Sequence, residues 1–180
     1  MNEISPENID RLAKIKLFLM DVDGTMTDGR IHYNDEWIES KAFDVTDGFG
    51  IYVLQLYSIK TGIITGRKSR IVTERAKELN IQIVRQGRVK KEHTFNEIIA
   101  EEGLDSSQVA YIADDLFDLP VLMQVGFSAA PADAHAEVKD RVHFVSDRKG
   151  GRGAVRQVCE LILKAQGHWE DLMRNFIPDY

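Results

Sequence analysis

The sequence predicts a Rossmann-like, three-layer α/β/α fold, in which helices cover both faces of one parallel sheet. Short apolar segments alternate with amphipathic segments along the chain, and no repeat or low-complexity tract interrupts them. Most of the apolar segments carry few polar residues, as expected of strands that are buried on both faces. The 180 residues, 43% of them hydrophobic, are enough to form a single domain over residues 1–180 with a core of its own.

The elements follow from these patterns in chain order. The apolar segments IKLFLM, KTGIIT, IQIVR, QVAYIA, GFSAA and RVHFVS predict strands at 15–20, 60–65, 81–85, 108–113, 126–130 and 141–146. Apolar residues recurring at helical spacing predict helices at 49–57, 69–79, 91–102, 117–125 and 153–166. Ser69 is the expected N-cap of the second helix.

One segment departs from this alternation. Residues 29–43, GRIHYNDEWIESKAF, alternate apolar and polar residues around Asn-Asp-Glu, which predicts a β-hairpin protruding between the first strand and the first helix. Its apolar side chains either pack on their own domain or anchor a contact with another subunit; they are Ile31, Tyr33, Trp37 and Ile38. Residues 168–180 have no firm pattern and are interpreted as a tail that is flexible or packs on a partner.

Composition limits the classes of function. A formal charge of -6 argues against a general nucleic-acid binder, which needs clustered cations. Cys159 is the single cysteine, so no internal disulfide can form, and its apolar setting indicates a helix core. No stretch approaches the ~20 apolar residues of a membrane span, and the N-terminal residues lack the order of a signal peptide. We therefore expect a cytoplasmic protein without nucleic-acid or membrane partners.

Polar residues cluster after four of the predicted strands. Because ligands bind beyond the carboxyl ends of the strands of an open parallel sheet, we expect these clusters to meet at one edge. In chain order they are Asp21 and Asp23; Thr65, Gly66 and Arg67; Lys91; and Asp114, Asp115 and Asp118. The five histidines are scattered without the spacing of metal ligands.

The carboxylates at this edge suit a divalent cation. Asp21, Asp23 and Asp114 would repel one another without one, and Mg²⁺ prefers oxygen ligands. Alternatively, Asp114 and Asp115 cap the helix at 117–125, which we expect of one of the two and not of both. Thr65 and Gly66 can donate hydrogen bonds to a phosphoryl group, although Thr-Gly is also a common turn.

These motifs resemble a known family. DVDGT, a Thr at a strand end, a Lys and a pair of aspartates resemble the haloacid dehalogenase superfamily of phosphatases over residues 15–125. Within it, DVDGTMTDG, FDVTDGFGI, ITGRKS, QGRVKK and GGRGAVRQVCELIL are similar to the 3-deoxy-D-manno-octulosonate 8-phosphate (KDO 8-phosphate) phosphatases over nearly the whole chain. Ala113 stands where that family usually has Gly, which is tolerable if the backbone angles there are ordinary.

The resemblance implies a Mg²⁺-dependent hydrolase that supplies KDO for lipopolysaccharide biosynthesis. It implies Asp21 as the nucleophile that forms an aspartyl phosphate and Asp23 as the general acid and base. Mg²⁺ would be bound by the Asp21 and Asp114 carboxylates and the Asp23 carbonyl. Thr65 and Lys91, with Lys90 as a competitor for that role, would stabilise the transferring phosphoryl group, and Asp115 and Asp118 would order metal-bound waters or Lys91.

The resemblance also bears on substrate choice and assembly. The spacing between motifs leaves no room for a separate cap domain, and the resemblance implies a homotetramer whose hairpins pack together. Arg67 is the candidate for binding the sugar carboxylate. Related phosphatases of nine-carbon sugar acids look different here, with an acidic residue, so Arg67 favours the eight-carbon substrate.

Several alternatives stay open at this stage. The chain could be a phosphatase of a nine-carbon sugar acid phosphate, a phosphorylated receiver domain, or an assembly module without catalysis. Arg148 and Arg152 could contact the substrate or the next subunit. Asp47 either lines the same site or caps the helix that follows it, and we favour the cap.

Overall fold

A computed structural model describes residues 4–177. Six strands form one parallel sheet: β1 Leu17–Met20, β4 Lys60–Thr65, β5 Ile83–Gln86, β6 Val109–Ile112, β7 Phe127–Ala130 and β8 Phe144–Val145. Their order is β5-β4-β1-β6-β7-β8, which places β1 at the centre between β4 and β6. All six predicted strands are present. The largest difference from the predicted bounds is at β8, which has only two residues and lies at the sheet edge.

Helices cover both faces of the sheet, as predicted. Those in the described residues are α1 Pro6–Leu12, α2 Val45–Leu56, α3 Arg70–Glu78, α4 Lys91–Glu102, α5 Leu119–Leu122, α6 Ala136–Lys139, α7 Ala154–Ala165 and α8 Trp169–Arg174. One buried cluster joins the sheet to α2, α3 and α7, and a second joins the opposite face to α4 and α5. None of the helices within residues 4–177 has the length and hydropathy to cross a bilayer.

Two helix predictions need correction, and one helix near the start of the described residues was missed. The helix expected at 49–57 begins earlier, because the Asp44 side chain caps α2 by accepting a hydrogen bond from the Thr46 amide at 2.7 Å. The helix expected at 117–125 is shorter and less regular than predicted: a 3₁₀ helix at Leu116–Asp118 leads into α5, which has Pro120 in its first turn and ends at Leu122. Helix α1 was not predicted, although Ser5 and Pro6 give the usual N-cap and first-turn signals.

Asp47 caps a helix other than the predicted one. It lies buried within α2, and its carboxylate accepts hydrogen bonds from the amides of Gly153, at 3.3 Å, and Arg156, at 2.7 Å. These amides belong to the N-terminus of α7, where a carboxylate is favoured by unpaired donors and by the helix dipole. Asp47 therefore fixes α2 against α7, and the prediction that it caps the following helix is wrong.

The predicted β-hairpin is confirmed. Strands β2 His32–Tyr33 and β3 Glu39–Ser40 pair in antiparallel register, with His32 opposite Ser40. The Asn34 side chain stabilises the turn by accepting a hydrogen bond from the Ile38 amide at 2.8 Å. The hairpin and α2 fill the chain between β1 and β4, which leaves no separate cap domain there.

The C-terminal segment is not a free tail over residues 168–177. Leu172 in α8 is buried, and Trp169 packs against the core cluster of α2 and α7. The Tyr57 hydroxyl donates a hydrogen bond to the Asp171 carboxylate at 2.9 Å. The prediction of a flexible tail is therefore wrong for these residues, and the alternative that the segment packs on a partner stays a prediction. Residues 178–180 lie outside the described part of the chain.

Candidate active site

The carboxyl ends of β1, β4, β5 and β6 meet around one cavity of about 370 Å³. Its volume is within the range of small-molecule sites. Eight of the nine predicted site residues line it, together with Val89 and Phe117: Asp21, Asp23, Thr65, Gly66, Arg67, Lys91, Asp115 and Asp118. The structure thus brings together residues that are up to about a hundred positions apart in the sequence.

Lys91 is the cation at the base of this cavity. It is the first residue of α4 and is buried, whereas Lys90 is exposed. Its Nζ atom lies 2.7 Å from Asp21 Oδ1 and 2.6 Å from Asp118 Oδ1, and the Tyr111 hydroxyl also donates to Asp118. Of the two adjacent lysines, Lys91 is therefore the one that reaches the site.

One ammonium group serves two buried carboxylates. Burial would lower the pKa of Lys91, but Asp21 and Asp118 outweigh that effect and raise it. Burial raises the pKa of Asp21 to about 7 against the attraction of Lys91, and the charges of Asp118 and Asp114 add to the rise. The ionised form of Asp21 is thus only partly compensated by Lys91, and a further cation beside it would favour that form.

Asp114 and Asp115 have different roles in the geometry. Asp115 is exposed and accepts a hydrogen bond from the Leu116 amide at 2.7 Å, so it is the member of the pair that acts as a cap. The Asp114 carboxylate accepts a hydrogen bond from Thr25 Oγ1 at 3.0 Å, and burial raises its pKa to about 6. Ala113 is buried and is not among the described residues with positive φ, so the expected tolerance of Ala at this position is confirmed.

Gly24 makes room for Asp114. Its φ of +95° lies in the region that favours glycine, and an added Cβ would be 2.1 Å from Asp114 Oδ2. A second glycine packs closely against the loop after β1, since a Cβ on Gly150 would be 1.8 Å from the Gly24 carbonyl oxygen. The Gly151 amide also donates to the Thr25 carbonyl at 2.8 Å. The loop 147–153 therefore holds the loop that carries Asp23 in place.

These donors fit a hard divalent cation. Asp21 and Asp114 are neighbouring carboxylates, since burial and then the charges of Asp118 and Asp114 raise the pKa of Asp21, and the Cβ-free space at Gly24 lies beside Asp114. Over residues 4–177, no three side chains of His, Cys, Asp or Glu form a metal-binding cluster. The predicted set uses only two carboxylates, with the Asp23 backbone carbonyl as the third ligand, a combination typical of Mg²⁺ sites that retain waters, and it stays a prediction.

Asp23 is held by a lysine that the sequence reading missed. Lys41 Nζ donates to Asp23 Oδ1, and the Lys41 side chain is completely buried. Asp23 Oδ2 faces Arg67 Nε at 3.8 Å. The available signal was the alternation Glu39-Ser40-Lys41, which puts Glu39 and Lys41 on the same side of the hairpin strand and hence next to each other.

Arg67 connects the cavity to the hairpin. Its Nη2 atom donates to the Tyr33 hydroxyl at 2.9 Å and lies 3.6 Å from Glu39 Oε1. Ser69 occupies the N-cap position of α3, but its hydroxyl donates to Glu39 Oε2 at 2.5 Å instead of capping the helix. The hairpin is therefore joined to the cavity edge of the sheet through Tyr33 and Glu39.

The remaining candidates lie as follows. Thr65 is the last residue of β4 and is buried at the cavity wall, and the space around Gly66 is open. Arg148 and Arg152 line a separate cavity of about 300 Å³ beside α7, and neither lines the cavity of Asp21. The prediction that these arginines contact the substrate receives no support from this placement.

Comparison with known proteins identifies close relatives of the whole chain. Residues 63–158 match the family of haloacid dehalogenase-like hydrolases. The 3-deoxy-D-manno-octulosonate 8-phosphate phosphatase of Yersinia pestis is 46% identical over 93% of this chain and 89% of its own, and that of Escherichia coli K12 is 40% identical over the same shares.

Solved structures agree with these matches. The phosphatase from Moraxella catarrhalis, crystallised with a magnesium ion, a phosphate ion and KDO, is 41% identical and superimposes with a TM-score of 0.93 over 95% of this chain and 98% of its own. The crystal structure of the Yersinia pestis enzyme gives a TM-score of 0.91 over 93% and 90%. By sequence and by structure, the chain belongs to the haloacid dehalogenase-like hydrolase family.

Proposed function

We propose that this protein is a Mg²⁺-dependent phosphatase that hydrolyses 3-deoxy-D-manno-octulosonate 8-phosphate to KDO and phosphate, a step of lipopolysaccharide biosynthesis. The observation that carries the proposal is the single cavity in which Asp21, Asp23, Thr65 and Lys91 converge. The relatives described above are phosphatases of this substrate, which favours hydrolysis over a receiver domain or an inert assembly module. We place the enzyme in the cytoplasm, a proposal supported by its one free, buried thiol.

The first chemical step uses both aspartates of the β1 loop. A carboxylate oxygen of Asp21 attacks phosphorus in line, and its new bond forms as the bond from phosphorus to the sugar oxygen breaks. Because Asp23 Oδ1 is engaged by Lys41, we assign proton donation to the departing oxygen to Asp23 Oδ2. The products of this step are the neutral sugar hydroxyl and the phosphorylated Asp21.

The second step restores the enzyme. The Asp23 carboxylate takes a proton from water, whose oxygen attacks phosphorus and displaces the Asp21 carboxylate as inorganic phosphate is formed. Lys91 and the Thr65 hydroxyl lie where they can stabilise negative charge on the transferred oxygens, and Asp118 keeps Lys91 oriented. The Asp21 and Asp114 carboxylates and the Asp23 carbonyl would hold Mg²⁺, which would supply positive charge that shields the nucleophile from the phosphate.

A phosphate-release screen tests this function. Purified protein is incubated with KDO 8-phosphate and with nine-carbon sugar acid phosphates, with added Mg²⁺ or with EDTA. We expect release from the eight-carbon substrate in Mg²⁺, little release in EDTA, and weaker release from nine-carbon acids. Preferred hydrolysis of a nine-carbon acid would change the substrate assignment, and no hydrolysis in Mg²⁺ would contradict the phosphatase.

Arg67 is proposed to select the sugar acid. Its guanidinium group lies at the cavity wall and is 45% exposed, so a ligand can reach it. We expect Arg67→Gln to lower kcat/KM for KDO 8-phosphate roughly 10- to 100-fold, the cost of losing a charge-assisted contact of about 1.5 to 3 kcal/mol. Gln avoids placing a third carboxylate beside Asp23 and Glu39.

The comparison substrate is p-nitrophenyl phosphate, which has no carboxylate. Its kcat/KM should fall less than about threefold in the same variant. Arg148→Gln, at the separate cavity, serves as the matched arginine control. Equal losses on both substrates would show that Arg67 does not bind the sugar carboxylate.

We also propose that the enzyme is a homotetramer whose hairpins pack together. The proposal is supported by four exposed apolar side chains on the hairpin, at 36% for Ile31, 47% for Tyr33, 80% for Trp37 and 57% for Ile38. These side chains are not covered by the chain's own core, and exposed apolar residues of this kind are typical interface anchors. Trp37→Glu should lower the molar mass measured by light scattering, whereas Met123→Glu, an exposed site outside the hairpin, should not; an unchanged mass for Trp37→Glu would refute this interface.

A further inference from the structure

Lys41 is an unusual lysine for a position at the end of a hairpin. Its side chain has 0% exposed area, and its ammonium group lies between two carboxylates. Nζ donates to Asp23 Oδ1 and is 3.5 Å from Glu39 Oε1. Burying a lysine is costly unless it is paired, so this arrangement persists only because both carboxylates are in place.

The carboxylate of Asp23 is fixed at one oxygen. Lys41 engages Oδ1, whereas Oδ2 has no hydrogen bond from residues 4–177 and lies 3.8 Å from Nε of Arg67, which lines the cavity together with Asp23. Glu39, the other partner of Lys41, is itself anchored by the Ser69 hydroxyl at the start of α3. Three parts of the chain, the β1 loop, the hairpin and the start of α3, are therefore joined through Lys41 and Glu39.

We propose that Lys41 is a positioning residue for acid–base catalysis by Asp23, an inference that rests on the phosphatase activity proposed above. Because the Lys41 side chain is inaccessible, it does not touch the substrate. By engaging Oδ1, it keeps the Asp23 carboxyl group turned so that Oδ2 meets the departing sugar oxygen. A general acid contributes only when it is within hydrogen-bonding reach of that oxygen, so a rotated carboxyl group loses its effect.

The leaving group distinguishes this role from a merely structural one. A sugar alkoxide must be protonated as it departs, whereas p-nitrophenolate leaves well without a proton. The constant kcat/KM reports the steps up to phosphorylation of Asp21, and so excludes the hydrolysis step that both substrates share. We therefore expect Lys41→Met to lower kcat/KM for KDO 8-phosphate roughly 100-fold and for p-nitrophenyl phosphate less than about fivefold, as for partial loss of a general acid.

Two further variants make the test specific. Lys60→Met, which removes the exposed lysine paired with Glu102 at the opposite end of β4, should leave both constants unchanged. In the Asp23→Asn background, Lys41→Met should change the ratio of the two constants by less than about twofold, since the general acid is already absent. Lys41→Gln replaces Lys41→Met if circular dichroism shows that the latter is unfolded.

The outcomes separate the two proposals. Equal losses on both substrates, no loss on either, or a full further loss in the Asp23→Asn background would each overturn the positioning role while leaving the phosphatase in place. Absence of hydrolysis by the wild-type enzyme on both substrates would contradict the proposed function and, with it, this role of Lys41.

Discussion

Asp21→Asn is expected to abolish phosphate release while leaving the fold intact. An amide cannot form the acyl phosphate through which the reaction is divided into two steps, and loss of a catalytic nucleophile commonly lowers kcat by a factor on the order of 10⁴ or more. Phosphate release from KDO 8-phosphate in saturating Mg²⁺ measures the effect. Normal turnover in this variant would exclude Asp21 as the nucleophile.

The fold should survive because Asn has the same shape as Asp and no charge. Burial raises the pKa of Asp21 to about 7, so the ionised carboxylate is costly to bury at neutral pH, and its neutral replacement removes that cost. Circular dichroism and thermal unfolding check this point. Asp28→Asn is the matched control. Asp28 follows the same strand but is exposed, and its carboxylate accepts a hydrogen bond from the Arg30 amide two residues away. This variant should keep the wild-type activity.

That the site residues would lie together could be predicted from the sequence, because their placement depends only on where each strand ends. In a parallel sheet every strand ends at the same edge, so a polar residue that follows a buried strand is placed there regardless of packing details. Asp21, Thr65 and Lys91 are such residues, and all three line one cavity. Which of Lys90 and Lys91 reaches the site could not be predicted, because it depends on how α4 packs against the sheet.

Contacts that depend on how distant elements pack could not be anticipated. Asp47 caps α7, whose amides lie more than a hundred positions further along the chain, so local sequence pointed to the wrong helix. Lys41 approaches Asp23 only because the hairpin folds back over the β1 loop. The alternation of Glu39 and Lys41 indicates that the two side chains are neighbours, but a charged residue in such a pattern normally faces solvent, so the burial of Lys41 could not be predicted.

The predicted helix boundaries were wrong where short-range sequence signals favoured different structures. Around residues 116–125, the apolar spacing favoured one helix, but Asp115 and Pro120 each start a turn of their own. The result is a 3₁₀ turn that puts Asp118 under Lys91. The departure from regular helix therefore creates a contact of the site, as is common where backbone geometry serves function.

Lys91→Met is expected to damage both stability and activity, in contrast to its neighbour Lys90→Met. Removing the ammonium group leaves the buried carboxylates of Asp21 and Asp118 without a cationic partner, and breaking a buried pair in this way costs about 3 to 5 kcal/mol of unfolding free energy. Lys90 is exposed, so its replacement should change stability by less than about 0.5 kcal/mol. Chemical denaturation in EDTA compares the two variants without a metal ion.

The stability loss should depend on pH in a defined direction. The pKa of Asp21 is already raised to about 7, and loss of Lys91 raises it further. An acid whose pKa is raised on folding destabilises the protein when it is ionised, so the cost is present above that pKa and is relieved as the pH falls below it. The difference in unfolding free energy between wild type and Lys91→Met should therefore be larger at pH 8 than at pH 6.

A double variant separates the two effects of Lys91. Asp118→Asn removes one of the carboxylates that share the ammonium group, so Lys91→Met with Asp118→Asn should recover part of the lost stability. It should not recover phosphate release, because the charge on the transferring oxygens is still unopposed and kcat stays on the order of a hundredfold lower. Recovery of activity along with stability would show that Lys91 stabilises the fold and does not take part in the reaction. A larger effect of Lys90→Met than of Lys91→Met on kcat would show that Lys90 is the lysine that acts on the phosphoryl group.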